Sequence, residues 1–311
     1  MNIQQFKYIL AVVEYKNFEL AADKCFVTQS TLSTMISKFE EELGFKIFDR
    51  KKKPVALTRE GEGIVDRLRF ILHGIDHLEE FSKELRGEVS GNLSISVIPT
   101  VAPYLLPLFL QQFANQFPKL KIKVREQTTE EIIRNIKSRE LDIGILSVPL
   151  NEKQISEIHL YDEPFILYDR SGSVKKKVNA RHVDMSNLFL LEEGHCLRNQ
   201  VLQFCDLNLG HVKNKLNFDF KAGSIDSLMR FVKSNQAMTL IPYLASLEMS
   251  KEDESCLRTF SNPVPYRSIG LVFHRHFVRR KILEMLEREI KSGVQKEIKF
   301  NSSSGEKLMP R

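Results

Sequence analysis

Cys196 and Cys205 stand nine positions apart, and their type and spacing are this chain's clearest opening for covalent chemistry. A thiol reacts as the thiolate, which nearby cations or a helix N-terminus favour. The run Gly194-His195-Cys196-Leu197-Arg198 is built for both. Gly194 reads as a turn, and residues 196–204 read as a helix carrying Leu197, Val201 and Phe204 on one side. Cys196 then falls in a first turn, facing free backbone N–H groups, with His195 and Arg198 beside it. The chemistry open to such a thiol is reversible oxidation. Two buried, inert thiols fit the same spacing, because free cysteine commonly behaves as a small hydrophobe.

The chain as a whole narrows the setting. Its 311 residues suggest about two domains. A hydrophobic content of 42% and a charged content of 28% describe an ordinary globular protein. No apolar run is long enough for a membrane span, and the polar start, Met1 to Gln5, has no signal-peptide pattern. Four cysteines in this length do not make a disulfide scaffold, so a reducing cytoplasm is the expected compartment. Any disulfide there would be a switch rather than a staple. No zinc-type cysteine cluster, phosphate-cradling glycine loop or hydrolase elbow is present, so neither metal nor cofactor is expected. The net charge of +6 is unevenly spread. Residues 1–90 hold 14 basic against 15 acidic side chains, yet Lys46 to Arg59 contains six basic residues against Asp49 alone.

The elements that must carry these residues begin with three short helices. Ile3, Phe6, Ile9, Leu10 and Val13 form one helical face, and Phe18, Ala21, Ala22 and Cys25 form a second, with Asn17 as N-cap. Cys25 therefore points at a core and reads as structural. Thr28 caps a third helix with Leu32, Ile36, Phe39 and Leu43 inward, ended by Gly44. Its outer face is Gln29, Ser30, Thr31, Ser33, Thr34, Ser37 and Lys38. Short hydroxyls allow close approach to a DNA groove, and Gln can make paired hydrogen bonds to adenine. Helix, turn and polar third helix predict a helix-turn-helix, with Arg50, Lys51, Lys52 and Lys53 in a wing against phosphates. A solvated helix face and an ordinary charged loop are the plainer reading of each part taken alone.

Thr58 opens a long helix through Arg86. Ile64, Leu68, Ile71, Ile75, Leu78 and Leu85 alternate steps of four and three, which predicts a homodimer through this seam. From Asn92 onward strands and helices alternate, which means a mostly parallel α/β fold in two lobes. Strands are expected at 93–98, 122–124, 142–146, 165–168, 188–191, 217–220, 238–241 and 268–273, and helices at about 104–117, 128–139, 224–234 and 278–291. Thr100 and Thr128 fall at carboxyl ends of strands, where ligands of such sheets bind, although helix capping would also place hydroxyls there.

Ala21-Ala22, Thr28-Gln29-Ser30-Thr31-Leu32-Ser33, Leu43-Gly44, Phe48-Asp49-Arg50 and Leu57-Thr58-Arg59-Glu60-Gly61 resemble the DNA-binding signature of LysR-type transcriptional regulators. Within that family, Ile98-Pro99-Thr100-Val101-Ala102-Pro103-Tyr104-Leu105-Leu106-Pro107, Glu126-Gln127-Thr128, Gly194-His195-Cys196-Leu197-Arg198 and Phe204-Cys205 are similar to the members that sense hydrogen peroxide. The resemblance covers almost the whole chain. It implies a winged helix-turn-helix at 1–58, a linker helix and hinge at 59–91, and a two-lobed, periplasmic-binding-protein-like α/β regulatory domain at 92–300. A disordered tail is expected at 301–311.

The same resemblance implies that Cys196 is oxidised by hydrogen peroxide and captured by Cys205 as a disulfide, with Thr100, Thr128, His195 and Arg198 around the peroxide. It also implies a homotetramer on double-stranded DNA, contact with RNA polymerase, and a thiol reductant that resets the switch. Asn199 departs from the family, standing where an acidic residue is usual. Ser234 to Ala237 lack the usual glycines, and Cys256 is an extra cysteine. The rival readings are a LysR-type regulator that binds a small organic effector between its lobes and, outside the family, a thiol peroxidase, which would have no use for the basic wing.

Overall fold

A computed structural model describes residues 1–172, 176–179, 183, 187–192, 196–204 and 222–310, apart from the side chains of Asp76, His77, Phe204 and Ser304. The chain divides into two units, Met1–Leu85 together with Ser138–Glu140, and Arg86–Lys137 together with the chain from Leu141 onward.

The first unit begins with α1 (Ile3–Tyr15), α2 (Phe18–Lys24) and α3 (Gln29–Leu43). The expected caps are in place: Asn17 accepts from the N–H groups of Glu19 and Leu20, and Thr28 from that of Thr31. Ile9, Ala21, Leu32, Ile36 and Phe39 fill the core between the three helices. Cys25 ends up half-buried at the end of α2, where burial raises its thiol pKa. A two-stranded wing follows, β1 (Phe48–Asp49) paired antiparallel with β2 (Ala56–Leu57). The long helix α4 (Arg59–Leu85) then starts, with the Thr58 hydroxyl accepting from the Gly61 N–H. The expected seam on α4 is divided. Leu68, like Val65, is buried in this unit's own core, whereas Ile71, Leu78 and Leu85 stay exposed at seven-residue spacing.

The second unit holds two cores joined by two long strands, β6 (Ile155–Asp169) and β10 (Val264–His274). In the first lobe the parallel strands β3 (Gly91–Val97), β4 (Leu120–Glu126) and β5 (Ile143–Val148) are covered by helices α5 (Ala102–Gln116) and α6 (Thr129–Lys137). The late helix α10 (Arg280–Glu297) packs there too, burying Leu283, Leu286 and Ile290. The second lobe includes α7 (Cys196–Phe204), α8 (Ile225–Ser234) and β8 (Met238–Pro242). It also holds the exposed turn of α9 (Lys251–Glu254) and strand β9 (Leu257–Phe260), with β7 (Lys177–Val178) paired to β9.

Several expectations need correcting. The sheet is mixed rather than mostly parallel: β10 runs antiparallel to both β5 and β6, and β6 antiparallel to β8 and β9. Alternation of strands and helices reports burial but not strand direction, and two long strands that serve both lobes must run against their neighbours. The strand expected at 165–168 is the end of β6, whose first half is polar enough to hide it. At 188–191 only isolated bridges from Leu188 to Met238 and from Leu191 to Ala222 form. The strand expected at 217–220 lies outside the described residues.

The tail at 301–311, expected to be disordered, is ordered through Pro310. Its strand β11 (Gly305–Lys307) pairs parallel with β10, and Leu308 is only 1% exposed in the second core. Polar composition argued for disorder, but one buried leucine and a free strand edge outweigh it.

Gly144 shows how tightly the first lobe closes. A Cβ there would overlap the Ile132 side chain and lie 2.7 Å from Val272 Cγ2. Gly144→Ala should therefore cost about 1–3 kcal/mol, as overpacking does. The expected result is a lower urea midpoint at an unchanged slope; an unaltered midpoint would mean that α6 has room to move.

Candidate functional site

Two sites emerge, one in each unit. In the first, α3 presents Gln29, Ser30, Thr31, Thr34 and Lys38 to solvent, as expected. The Thr28 hydroxyl lies 3.0 Å from that of Ser30 and 2.8 Å from that of Thr31, so this end of α3 carries a hydroxyl cluster. Ser33 and Ser37 have another partner. Arg50 reaches back from the wing, donating from Nη1 to Ser33 Oγ (2.9 Å) and from Nη2 to Ser37 Oγ (3.1 Å), while stacking 4.8 Å from the centre of the Phe18 ring.

Behind Arg50 sits Glu40, a buried carboxylate that the sequence reading passed over. Its oxygens accept from the N–H groups of Ile47 and Phe48 and pair with Lys46 (3.1 Å) and Arg50 (3.5 Å). An acid directly after Phe39, against the inward face of α3, was the signal available. Lys51, Lys52 and Lys53 are exposed at the wing tip. A groove of about 760 Å³ runs between α3 and the wing, lined by Ser37, Lys46, Arg50, Lys51, Lys52 and Arg59, with Asp49 the one acidic residue in its lining. Its charge and shape suit a phosphate backbone.

The second site lies where the two lobes meet. The carboxyl ends of β3, β4 and β5 come together there, and the Gln127 N–H donates to the Val97 carbonyl (3.1 Å). Cys196 opens α7, 6% exposed, and its Sγ donates to Ser147 Oγ on β5 at 3.7 Å. Cys196 belongs to the first lobe's core, whereas its neighbour Leu197 belongs to the second's.

Thr100 is buried at the end of β3 and held by Arg267, which donates from Nη1 to its Oγ1 (2.9 Å) and from Nη2 to its carbonyl (3.0 Å). Arg267 is fully buried and pairs with Glu163, Nε to Oε2 at 2.9 Å. The other Glu163 oxygen accepts from the Leu244 N–H. Having accepted from Arg267, the Thr100 hydroxyl keeps its own proton to donate. Tyr161, two residues before Glu163, is buried and therefore stays neutral, its pKa pushed well up by desolvation and by Glu163. Arg267 and Tyr161 were missed because an arginine and a tyrosine among strand residues carry no periodic signal.

Thr128 caps α6: its N–H and hydroxyl both donate to Glu131 Oε2, at 2.8 and 3.0 Å. Arg198 donates to the Leu191 carbonyl (3.0 Å), fastening the segment ahead of α7. His195 and Cys205 lie outside the described residues. In the second lobe the half-buried Cys256 has Arg170 Nη1 3.3 Å from its sulfur.

Comparison with known proteins covers both units. Residues 3–62 match the bacterial regulatory helix-turn-helix proteins of the lysR family, and residues 86–292 match the LysR substrate binding domain. The chain belongs to the LysR family. A hydrogen peroxide-inducible genes activator of Dickeya chrysanthemi is 33% identical over 298 residues, covering 95% of this chain and 96% of that one. A cysteine-to-aspartate variant of full-length OxyR from Pseudomonas aeruginosa has a similar fold, with a TM-score of 0.71 at 28% identity, covering 94% of this LysR chain and 98% of that one. A hydrogen-peroxide-bound cysteine-to-serine variant of Corynebacterium glutamicum OxyR matches with a TM-score of 0.61 at 25% identity, covering 95% and 93%.

Two predictions follow from this geometry. On DNA, Lys52→Ala should flatten the salt dependence of binding by about one unit of slope at unchanged thermal stability. Arg50→Ala should lower both affinity and melting temperature, because it also strips Glu40, Ser33 and Ser37 of a partner. Gln29→Ala should reduce discrimination between sequences; gel shifts on matched and scrambled duplexes, with melting curves, separate the three.

The second concerns pH. The N–H and hydroxyl of Thr128 hold the Glu131 carboxyl below its usual range. The stability this contributes is fully present above the ordinary carboxylate pKa of about 4.3 and is lost as pH falls through the depressed value. Thr128→Val should move the Glu131 titration part of the way back up, as followed by carboxyl NMR. An unmoved titration would mean that the hydroxyl contributes nothing.

Proposed function

We propose that this chain is a peroxide-responsive transcription regulator whose sensor is Cys196. The observation that carries the reading is a buried thiol at a helix start, seated where two cores meet, in a LysR-family chain whose relatives include hydrogen peroxide-inducible genes activators. The Cys196 thiolate attacks one oxygen of hydrogen peroxide and the O–O bond breaks. Cys196 becomes a sulfenic acid, and the leaving hydroxide takes up a proton to give water. Cys205 then attacks that sulfur, the S–O bond breaks, and a second water leaves as the disulfide forms. Two thiols are oxidised and one peroxide is reduced, so a thiol reductant is needed to restore the start.

The Thr100 hydroxyl, oriented by Arg267, is the group best prepared to donate to the peroxide. Thr128, His195 and Arg198 complete its surroundings. Because Phe204 lies about 12 Å along the axis of α7 from Cys196, and the next residue in sequence is only about 3.8 Å further on, a disulfide with its Cα atoms within about 7 Å requires α7 to unwind. That rearrangement is the step that couples oxidation to DNA.

The outer face of α3 and the basic groove bind double-stranded DNA. The exposed Ile71, Leu78 and Leu85 of α4 pair with a second copy, and two dimers make a tetramer that recruits RNA polymerase. The protein works in the cytoplasm, by signalling rather than by turnover.

Cys196→Ser should retain DNA binding and lose the peroxide response, and Cys205→Ser should accumulate a sulfenic acid that dimedone traps. Mass spectrometry after stoichiometric peroxide reads both outcomes. Unreacted Cys196 in the parent chain would favour a small organic effector between the lobes, and rapid catalytic consumption of peroxide would favour a thiol peroxidase.

A further inference from the structure

The C-terminal segment, expected to be disordered, lies across the helix that carries Cys196. The Phe300 and Tyr266 rings meet at a tilt of 55° with 5.5 Å between their centres, and β11 then adds parallel to β10. Gly305 sits so close to Tyr266 that a Cβ would come within 2.7 Å of its ring. The Leu308 N–H donates to the Tyr266 carbonyl (2.8 Å), and the leucine side chain plugs the second core beside Leu197 and Val201.

From this anchor the chain reaches α7 twice. Gln200, fully buried, donates from Nε2 to the Leu308 carbonyl (3.2 Å), and the Met309 N–H donates to Gln203 Oε1 (3.1 Å). Gln200 Oε1 has no partner among the described residues, so the tail supplies the hydrogen bond that compensates its buried amide. Both glutamines stand on the short helix that begins at the thiol.

We propose that residues 305–310 are a strap that holds α7 closed, with Gln200, Gln203 and Leu308 as positioning residues for Cys196. The strap is fixed at one end to β10, a strand of both lobes, and at the other to the nine-residue α7. A helix this short has little stability of its own and depends on tertiary contacts. Releasing the strap removes two hydrogen bonds and one buried leucine from α7 while Leu197, Val201 and Leu202 keep their places in the core, so opening α7 costs less. Cys196 is then exposed more often. The role of the strap in signalling rests on Cys196 being the sensor, but its hold on α7 does not.

Iodoacetamide labelling of the full chain under reducing conditions, read at each cysteine by mass spectrometry, tests this. Ending the chain after Ser304 should raise the Cys196 labelling rate roughly tenfold or more, the scale expected from two lost hydrogen bonds. Gln203→Ala, on an exposed side chain that leaves the core intact, should raise it a few-fold. Labelling of Cys25 and Cys256 should not change, and hydrogen exchange should show lost protection within 197–204 but not within 91–97. Cys25 and Cys256 rates that rise in parallel with Cys196 would mean general unfolding and would overturn the strap. So would an unchanged Cys196 rate in both variants. The sensor reading is judged separately, by stoichiometric peroxide on the parent chain: failure there, with the labelling result intact, leaves the strap standing and removes only its role in signalling.

Discussion

Arg267 and Glu163 face each other directly across the antiparallel pair β10 and β6, both sealed from water. Removing two charges from water costs several kcal/mol per ion, and their attraction offsets this only when the remaining donors and acceptors are also used. Here they are used on both sides. Arg267 spends its other bonds on the hydroxyl and carbonyl of Thr100, and Glu163 spends its second oxygen on the Leu244 N–H. Phe165, which opens the second core, lies under the guanidinium at 5.8 Å. The pair therefore ties the end of β3, the two shared strands and the start of the second lobe to one point. Cys196 meets Ser147 on β5, the strand between β3 and β10, and Ser147 stands opposite Ile269, two residues from Arg267.

The DNA-binding unit repeats the device with one difference. Glu40 is buried, it holds Arg50, and Arg50 holds the hydroxyls of Ser33 and Ser37. Carboxylate, arginine and hydroxyl stand in the same order as Glu163, Arg267 and Thr100. Arg50, however, keeps 38% of its side chain exposed, whereas Arg267 has none. A sealed arginine can only position its neighbours. A half-exposed one can exchange serine hydroxyls for phosphate oxygens while Glu40 keeps it aimed, so little side-chain freedom remains to be lost on binding.

Much of this was legible beforehand where one face of an element meets one core. The three N-terminal helices, their caps at Asn17 and Thr28, and most helices of the second unit follow from apolar spacing because that spacing is set by burial. What depends on a partner far along the chain was not. The seam on α4 reads as one stripe, yet Leu68 goes to the chain's own core while Ile71, Leu78 and Leu85 do not. The direction of β10 is decided by which strands flank it. The order of the tail is decided by Leu308 finding a place in a core built from residues about 50 to 140 positions earlier. Thr100 and Thr128 were both placed at strand ends correctly, but only Arg267 and Glu131 distinguish an oriented, buried donor from a helix cap.

Cys196 and Leu197 share a peptide bond and belong to different cores. In a two-lobed binding domain the seam between lobes is where a diffusing molecule would settle, and the fraction of sites filled would follow its concentration. Here a side chain already occupies that seam, and a side chain cannot dissociate. A signal read at this position has no dissociation constant. On the proposed reading, its strength is set by how fast the sulfur is oxidised and how fast it is restored, so the chain would report a balance of two rates rather than the occupancy of a site.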